Sequence, residues 1–221
     1  MTLKEPEMRP TQIAAIALIA GAIIHAVSGI VGQFVQASTL VSDDLFSYPW
    51  TSAELVAVSL IEAFAFGLGL VGFAGLRASG VAGPTRTART GLGVAVAASA
   101  LFVVAELASI AVRNQHLDEG AAGAVGGLFG LATLLLGAGL ATAGVAARRA
   151  RLWQTWRPTA LLACGLWTLA MLGVVLTPLM PLGVTVMGLL QAAIGIGLLT
   201  RSTPVGAKAQ PATATPSIAL R

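Results

Sequence analysis

The stretch QIAAIALIAGAIIHAVSGIVGQFV, residues 12–35, decides how the rest of the chain is read. Its 24 residues contain no Asp, Glu, Lys or Arg, and His25 is the one titratable side chain among them. As a helix such a run is long enough to cross the ~30 Å hydrocarbon layer of a bilayer. Lys4 and Arg9 precede it, and Val35-Gln36-Ala37 resembles a cleavage site. The run nevertheless exceeds the roughly 7–15 apolar residues of a secretory signal, so it is expected to stay in place as a membrane helix.

Working outward, five further apolar stretches of spanning length follow, at 53–76, 91–112, 121–147, 159–177 and 182–200. Composition agrees. Hydrophobic residues make up 56% of the 221, with 26 glycines besides, and only 10% are charged. A soluble domain has about 25% charged residues. Mean hydropathy is +0.86. These values exclude a soluble globular domain, a disordered chain and a nucleic-acid binder. The expected fold class is all-α, a polytopic transmembrane bundle of six helices over residues 1–200, followed by a disordered cytoplasmic tail at 201–221.

All ten prolines lie outside the six stretches. A proline within a helix removes a backbone donor and clashes with the preceding turn, so their placement supports the boundaries independently of hydropathy. The last two stretches are joined by Pro178-Leu179-Met180-Pro181, which predicts a tight helical hairpin.

Charge sets the orientation. Lys4 and Arg9, then Arg77, Arg86 and Arg89, then Arg148, Arg149, Arg151 and Arg157, and finally Arg201, Lys208 and Arg221 fall on alternate connectors and the two ends; the remaining connectors hold only Arg113. A split of twelve to one predicts that both termini are cytoplasmic, in a bacterial inner membrane. Aromatic residues mark the interfaces: Phe46, Tyr48 and Trp50 at the outer one, Trp153 and Trp156 at the inner. Thr51-Ser52-Ala53-Glu54 predicts a capping box opening the second helix.

Ionisable groups within a bilayer are costly and therefore mark candidate sites. Here they are His25, Glu62 and Glu106, with Gln191 on the sixth helix as a polar companion. Glu62 stands nine residues into its stretch and Glu106 six before the end of its own, depths of about 13 and 9 Å from the outer side. His25 shares a helix face with Gly21, Ser28, Gly29 and Gly32; Glu62 with Ser59, Ala65 and Gly69; Glu106 with Ala95, Ser99 and Ser109. Faces of small residues pack against protein rather than lipid, so His25, Glu62 and Glu106 are expected to converge between the first three helices. A neutral buried carboxyl joining two helices is the structural alternative for each of them.

Other chemistry finds no footing. One cysteine, Cys164, excludes a disulfide framework, and His-Glu-x-x-His, Gly-x-Ser-x-Gly and Walker strings are absent. Hence no cofactor and no metal are expected. Cys164 with Trp167 and Thr168 is read as packing, and Asp43 and Asp44 as solvated loop charges. Gly123/Gly127 and Gly126/Gly130 have Gly-xxx-Gly spacing but identify no partner.

The preponderance of Arg over Lys, the Phe46-Ser47-Tyr48-Pro49 loop and the glycine-rich, Arg-ended second and fourth helices resemble the uncharacterised small multi-pass membrane proteins of high-GC, actinobacterial-type bacteria. No catalytic residue carries over from that resemblance. The primary expectation is an accessory, assembly or regulatory membrane protein. The alternative is a small transporter or proton-coupled permease using His25, Glu62 and Glu106, and the third class is an intramembrane enzyme or cofactor carrier. Expected partners are the lipid bilayer and a membrane-protein partner or second copy, with no nucleic acid.

Overall fold

The computed structural model describes residues 10–153 and 155–200. Six helices account for most of them: α1 (Pro10–Ser38), α2 (Ser52–Ala78), α3 (Arg86–Val112), α4 (Gly120–Ala150), α5 (Arg157–Val174) and α6 (Met180–Leu199). Each is long and apolar enough to cross a membrane. A helix suits that solvent because it satisfies its own backbone polar groups. The tail at 201–221 lies outside the described residues.

Each helix packs chiefly on its two neighbours in sequence, and α6 returns to pack on α1, closing a ring. Short connectors make the order up-and-down. One end therefore gathers the starts of α2, α4 and α6; the other gathers the starts of α3 and α5 with the arginines. The polarity is inverted relative to a soluble protein. Phe34 and Phe64 are 73% and 62% exposed on the outside, whereas His25, Glu62 and Gln191 are buried. Apolar surface of this extent is stable against acyl chains and costly against water.

Glycine sets the helix spacing. A Cβ at Gly139 would lie 2.6 Å from the Gly91 carbonyl oxygen, and one at Gly91 would lie 2.7 Å from that of Gly139, so α3 and α4 touch backbone to backbone. Gly188 sits equally close to Ala22 and Ala26, joining α6 to α1, and Gly165 meets Ala141 where α5 crosses α4. Such contacts recover in dispersion what lipid denies to hydrophobic association.

Several expected boundaries are corrected. Pro10, Pro158 and Pro181 lie within the first turns of α1, α5 and α6 rather than outside the helices. First-turn amides have no partner in the helix, so proline costs nothing there. α3 begins at Arg86 because Thr85 caps it, accepting from the Ala88 amide, and so Arg86 and Arg89 are helical. α4 extends through Arg148 and Arg149. α5 stops at Val174 instead of reaching Thr177, because Pro178 disfavours helical geometry just before it and the Thr177 hydroxyl takes the Val174 carbonyl. The α5–α6 hairpin forms as expected, and the Trp167 indole donates to the Gly183 carbonyl across it. The capping box at Thr51 and Glu54 is present in full.

The connectors close both ends. At the first, Phe46 donates to the Gln115 carbonyl and Leu117 to that of Asp44, zipping connector 39–51 to connector 113–119. His116 Nδ1 meets Asp44 Oδ2 at 3.0 Å, so Asp44 is paired and not simply solvated. Phe46 packs beside Val112, Ala122 and Val125, and Trp50 lies against Gly32. This cap spans the mouth of the ring. At the arginine end Trp153 is buried against Gly197, while Trp156 is exposed.

Candidate intramembrane polar site

α1 carries His25 between two glycines, each a turn away. Gly21 backs onto the Ala65 carbonyl of α2, and Gly29 onto Pro181 and Thr185 of α6. Held this tightly, the imidazole meets the neighbouring helix directly: His25 Nδ1 and Glu62 Oε2 are 2.6 Å apart. His25 is 1% exposed and Glu62 8%. The pair therefore shares one short, charge-assisted hydrogen bond in a low-dielectric interior. Ser28, one turn along α1, places its hydroxyl beside the Glu62 carboxyl. Glu62 Oε1 is buried with no hydrogen-bond partner among the described residues.

Glu106 joins through serines. Ser109 donates to the Glu106 carbonyl at 2.6 Å, and Ser59 and Ser109 share a 2.8 Å bond between hydroxyls. A hydroxyl has one hydrogen to give. With Ser109 committed, Ser59 donates to Ser109, and its hydroxyl lies beside the Glu106 carboxyl. Glu106 itself is half-buried.

An aromatic layer runs beside the polar one. Phe66, a turn beyond Glu62, tilts against the His25 ring at 4.5 Å and stacks on Phe102 at 4.2 Å. Phe102 stands a turn before Glu106 and reaches Phe129 of α4. The carboxyls of α2 and α3 therefore lie one turn from a run of stacked rings.

Of the four expected residues, His25 and Glu62 are in contact, and Glu106 stands opposite Glu62 on α3, beside Ser59. Gln191 is buried on α6. It lies between Gly188, which meets Ala22 and Ala26, and Gly195, which meets Ala15 and Ile19, and it takes no part in the His25–Glu62 bond. The shared faces hold: Gly21, Gly29 and Gly32, Ser59, Ala65 and Gly69, and Ala95, Ser99 and Ser109 are all buried. The depths are about 20, 15 and 9 Å from the capped end for His25, Glu62 and Glu106. The helix ends are themselves staggered: the Ser59–Ser109 bond and the Phe66–Phe102 stack set Glu62 opposite Glu106, and Glu62 touches His25, so the three lie in one layer.

The phenyl wall was not anticipated; its signal is the four-residue offset of Phe66 from Glu62 and of Phe102 from Glu106. Three further buried acceptors lie toward the cap. Gln33 Oε1, Gln36 Oε1 and Gln115 Oε1 have no partner. No group of three or more His, Cys, Asp or Glu able to hold a metal occurs among the described residues.

Fold and site together define a class: a six-helix bundle of membrane-spanning length with a buried histidine–carboxyl pair. Compared with known proteins, the chain matches no family model, no curated protein and no solved structure.

Proposed function

We propose that this protein is a small proton-coupled membrane permease in which His25 and Glu62 exchange a proton and Glu106 is the second carrier. The observation that carries it is the buried 2.6 Å His25–Glu62 pair whose second carboxyl oxygen has no partner. A purely structural carboxyl would satisfy both oxygens, since an unmet buried acceptor costs about 1–3 kcal/mol. The unmet amide oxygens of Gln33 and Gln36 lie eight and eleven residues from His25 along α1. They supply acceptors for water or hydronium between the cap and the pair. The twelve-to-one distribution of basic residues supports a bacterial inner-membrane location with both termini in the cytoplasm and the cap outside.

Protein reconstituted in liposomes with an internal pH dye should dissipate an imposed pH gradient. Glu62→Gln should abolish the flux and Glu106→Gln should reduce it several-fold, with the fold retained. The second reading is an accessory or assembly protein in which the pair clamps α1 to α2; the backbone-level packing at Gly21, Gly91 and Gly139 favours it. Flux in Glu62→Gln equal to that of the parent protein would decide for the clamp.

A further inference from the structure

At the end opposite the cap, the turn between α2 and α3 encloses an open-sided cavity of about 410 Å³. Arg77 and Arg89 line it, with Gly80, Gly83, Pro84 and Leu152. Gly80 and Gly83 adopt positive φ, of 66° and 102°, which lets connector 79–85 fold back upon the end of α4. A Cβ at Gly83 would lie 2.8 Å from the Ala150 Cβ. The Arg77 guanidinium lies over Gly93 of α3, where no side chain displaces it.

The electrostatics there are unbalanced. Arg77, Arg86, Arg89, Arg148, Arg149, Arg151 and Arg157 gather at this end, whereas every carboxylate among the described residues lies in the capped half. Neither Arg77 nor Arg89 forms a hydrogen bond or ion pair among the described residues. Arg86 and Arg89 also occupy the start of α3 with no acidic residue in its first turn. A helix N-terminus is itself partially positive, so the fold places like charge upon like charge. Among the described residues no anion relieves this.

We infer that the Arg77/Arg89 cavity binds a phosphate-bearing group, the headgroup of an acidic phospholipid. Two guanidinium forks match the oxygens of a phosphodiester. Arg77 is one residue from the end of α2, and Arg89 is in the first turn of α3, so both stand at headgroup depth. Leu152, 51% exposed at the rim, offers the apolar wall that glycerol and upper acyl carbons need and a free phosphate does not. Basic pockets between membrane helices take anionic headgroups in this way.

The test is native mass spectrometry of the full chain in detergent, titrated with phosphatidylglycerol, phosphatidylcholine or inorganic phosphate. Arg77→Gln/Arg89→Gln is compared with Arg148→Gln/Arg149→Gln, which removes equal charge from the same end. Phosphatidylglycerol should bind saturably, in preference to phosphatidylcholine, and about thirtyfold more weakly to the Arg77/Arg89 variant. The Arg148/Arg149 variant should bind it like the parent. Inorganic phosphate displacing the lipid at equal concentration would identify a soluble phosphate ligand and overturn the lipid assignment. Equal weakening in both variants, or equal binding of the two lipids, would reduce the site to diffuse charge and overturn the proposal.

Discussion

His25 and Glu62 stabilise one another only as a pair. Removing one partner leaves the other buried without compensation. Glu62→Ala should therefore cost about 3–5 kcal/mol, while the double replacement His25→Leu/Glu62→Met should cost much less. Denaturant titration of the three proteins in detergent measures the difference; equal losses for the single and double changes would show that the two side chains do not interact. Cys164 offers a simpler check. Its thiol is fully buried beside Thr168 in α5, so a maleimide should fail to label it until the bundle is unfolded. In the cap, a hydrogen bond from Ser42 and then the ion pair with His116 hold the Asp44 carboxyl below the usual aspartate range. A depressed acid stabilises above its unfolded value and loses that contribution as pH falls through the folded one. Acidification below about pH 4, or Asp44→Asn, should accelerate amide exchange at Leu117, which donates to the Asp44 carbonyl. Both carboxyl and imidazole are more than half exposed, so the effect is confined to the loops.

At the scale of the helix, two sets of glycines on α4 have opposite roles. Gly139 of α4 touches the α3 backbone, and alanine there must push the helices apart at a cost of about 1–3 kcal/mol. Gly126, Gly127 and Gly130 on the same helix have nothing within 4 Å of a built Cβ. Alanine at Gly126 should be neutral, or should stabilise by about 0.5–1 kcal/mol through helix propensity. Thermal melts of Gly139→Ala and Gly126→Ala in one detergent test the contrast; a similar loss in both would mean that the outer stripe also packs. The spacing of Gly123/Gly127 and Gly126/Gly130 was plain in the sequence, but which glycines meet a neighbour was not. Rotation of a helix about its axis is fixed by the partner it packs on, and α4 turns its Gly137, Gly139 and Gly144 side inward. The helix ends were misread for a related reason: Thr85 and the first-turn prolines act through local backbone geometry, to which hydropathy is blind.

On the scale of the whole molecule, the ring is closed on itself, with the cap over one mouth and connector 79–85 with Trp153 at the other. In the proposed permease, the seam between connectors 39–51 and 113–119 is the access route to Glu62 from the capped side. Cysteines replacing Leu45 and His116, whose backbones are bridged, should cross-link this seam under oxidation and slow the liposome flux several-fold, with recovery on reduction. Flux indifferent to the cross-link would place the access route elsewhere. Hydropathy and helical period along the sequence were enough to give six helices long and apolar enough to cross a membrane and to set His25 and Glu62 on buried faces, because each follows from transfer energies and helical period along a single segment. Only the tertiary structure decided that Glu62 binds His25 directly, that Glu106 stands opposite Glu62 beside Ser59, and that Gln191 takes no part in the His25–Glu62 bond. Those outcomes depend on how closely α1 and α2 approach at Gly21 and on the offset of α2 against α3, quantities set by contacts between segments.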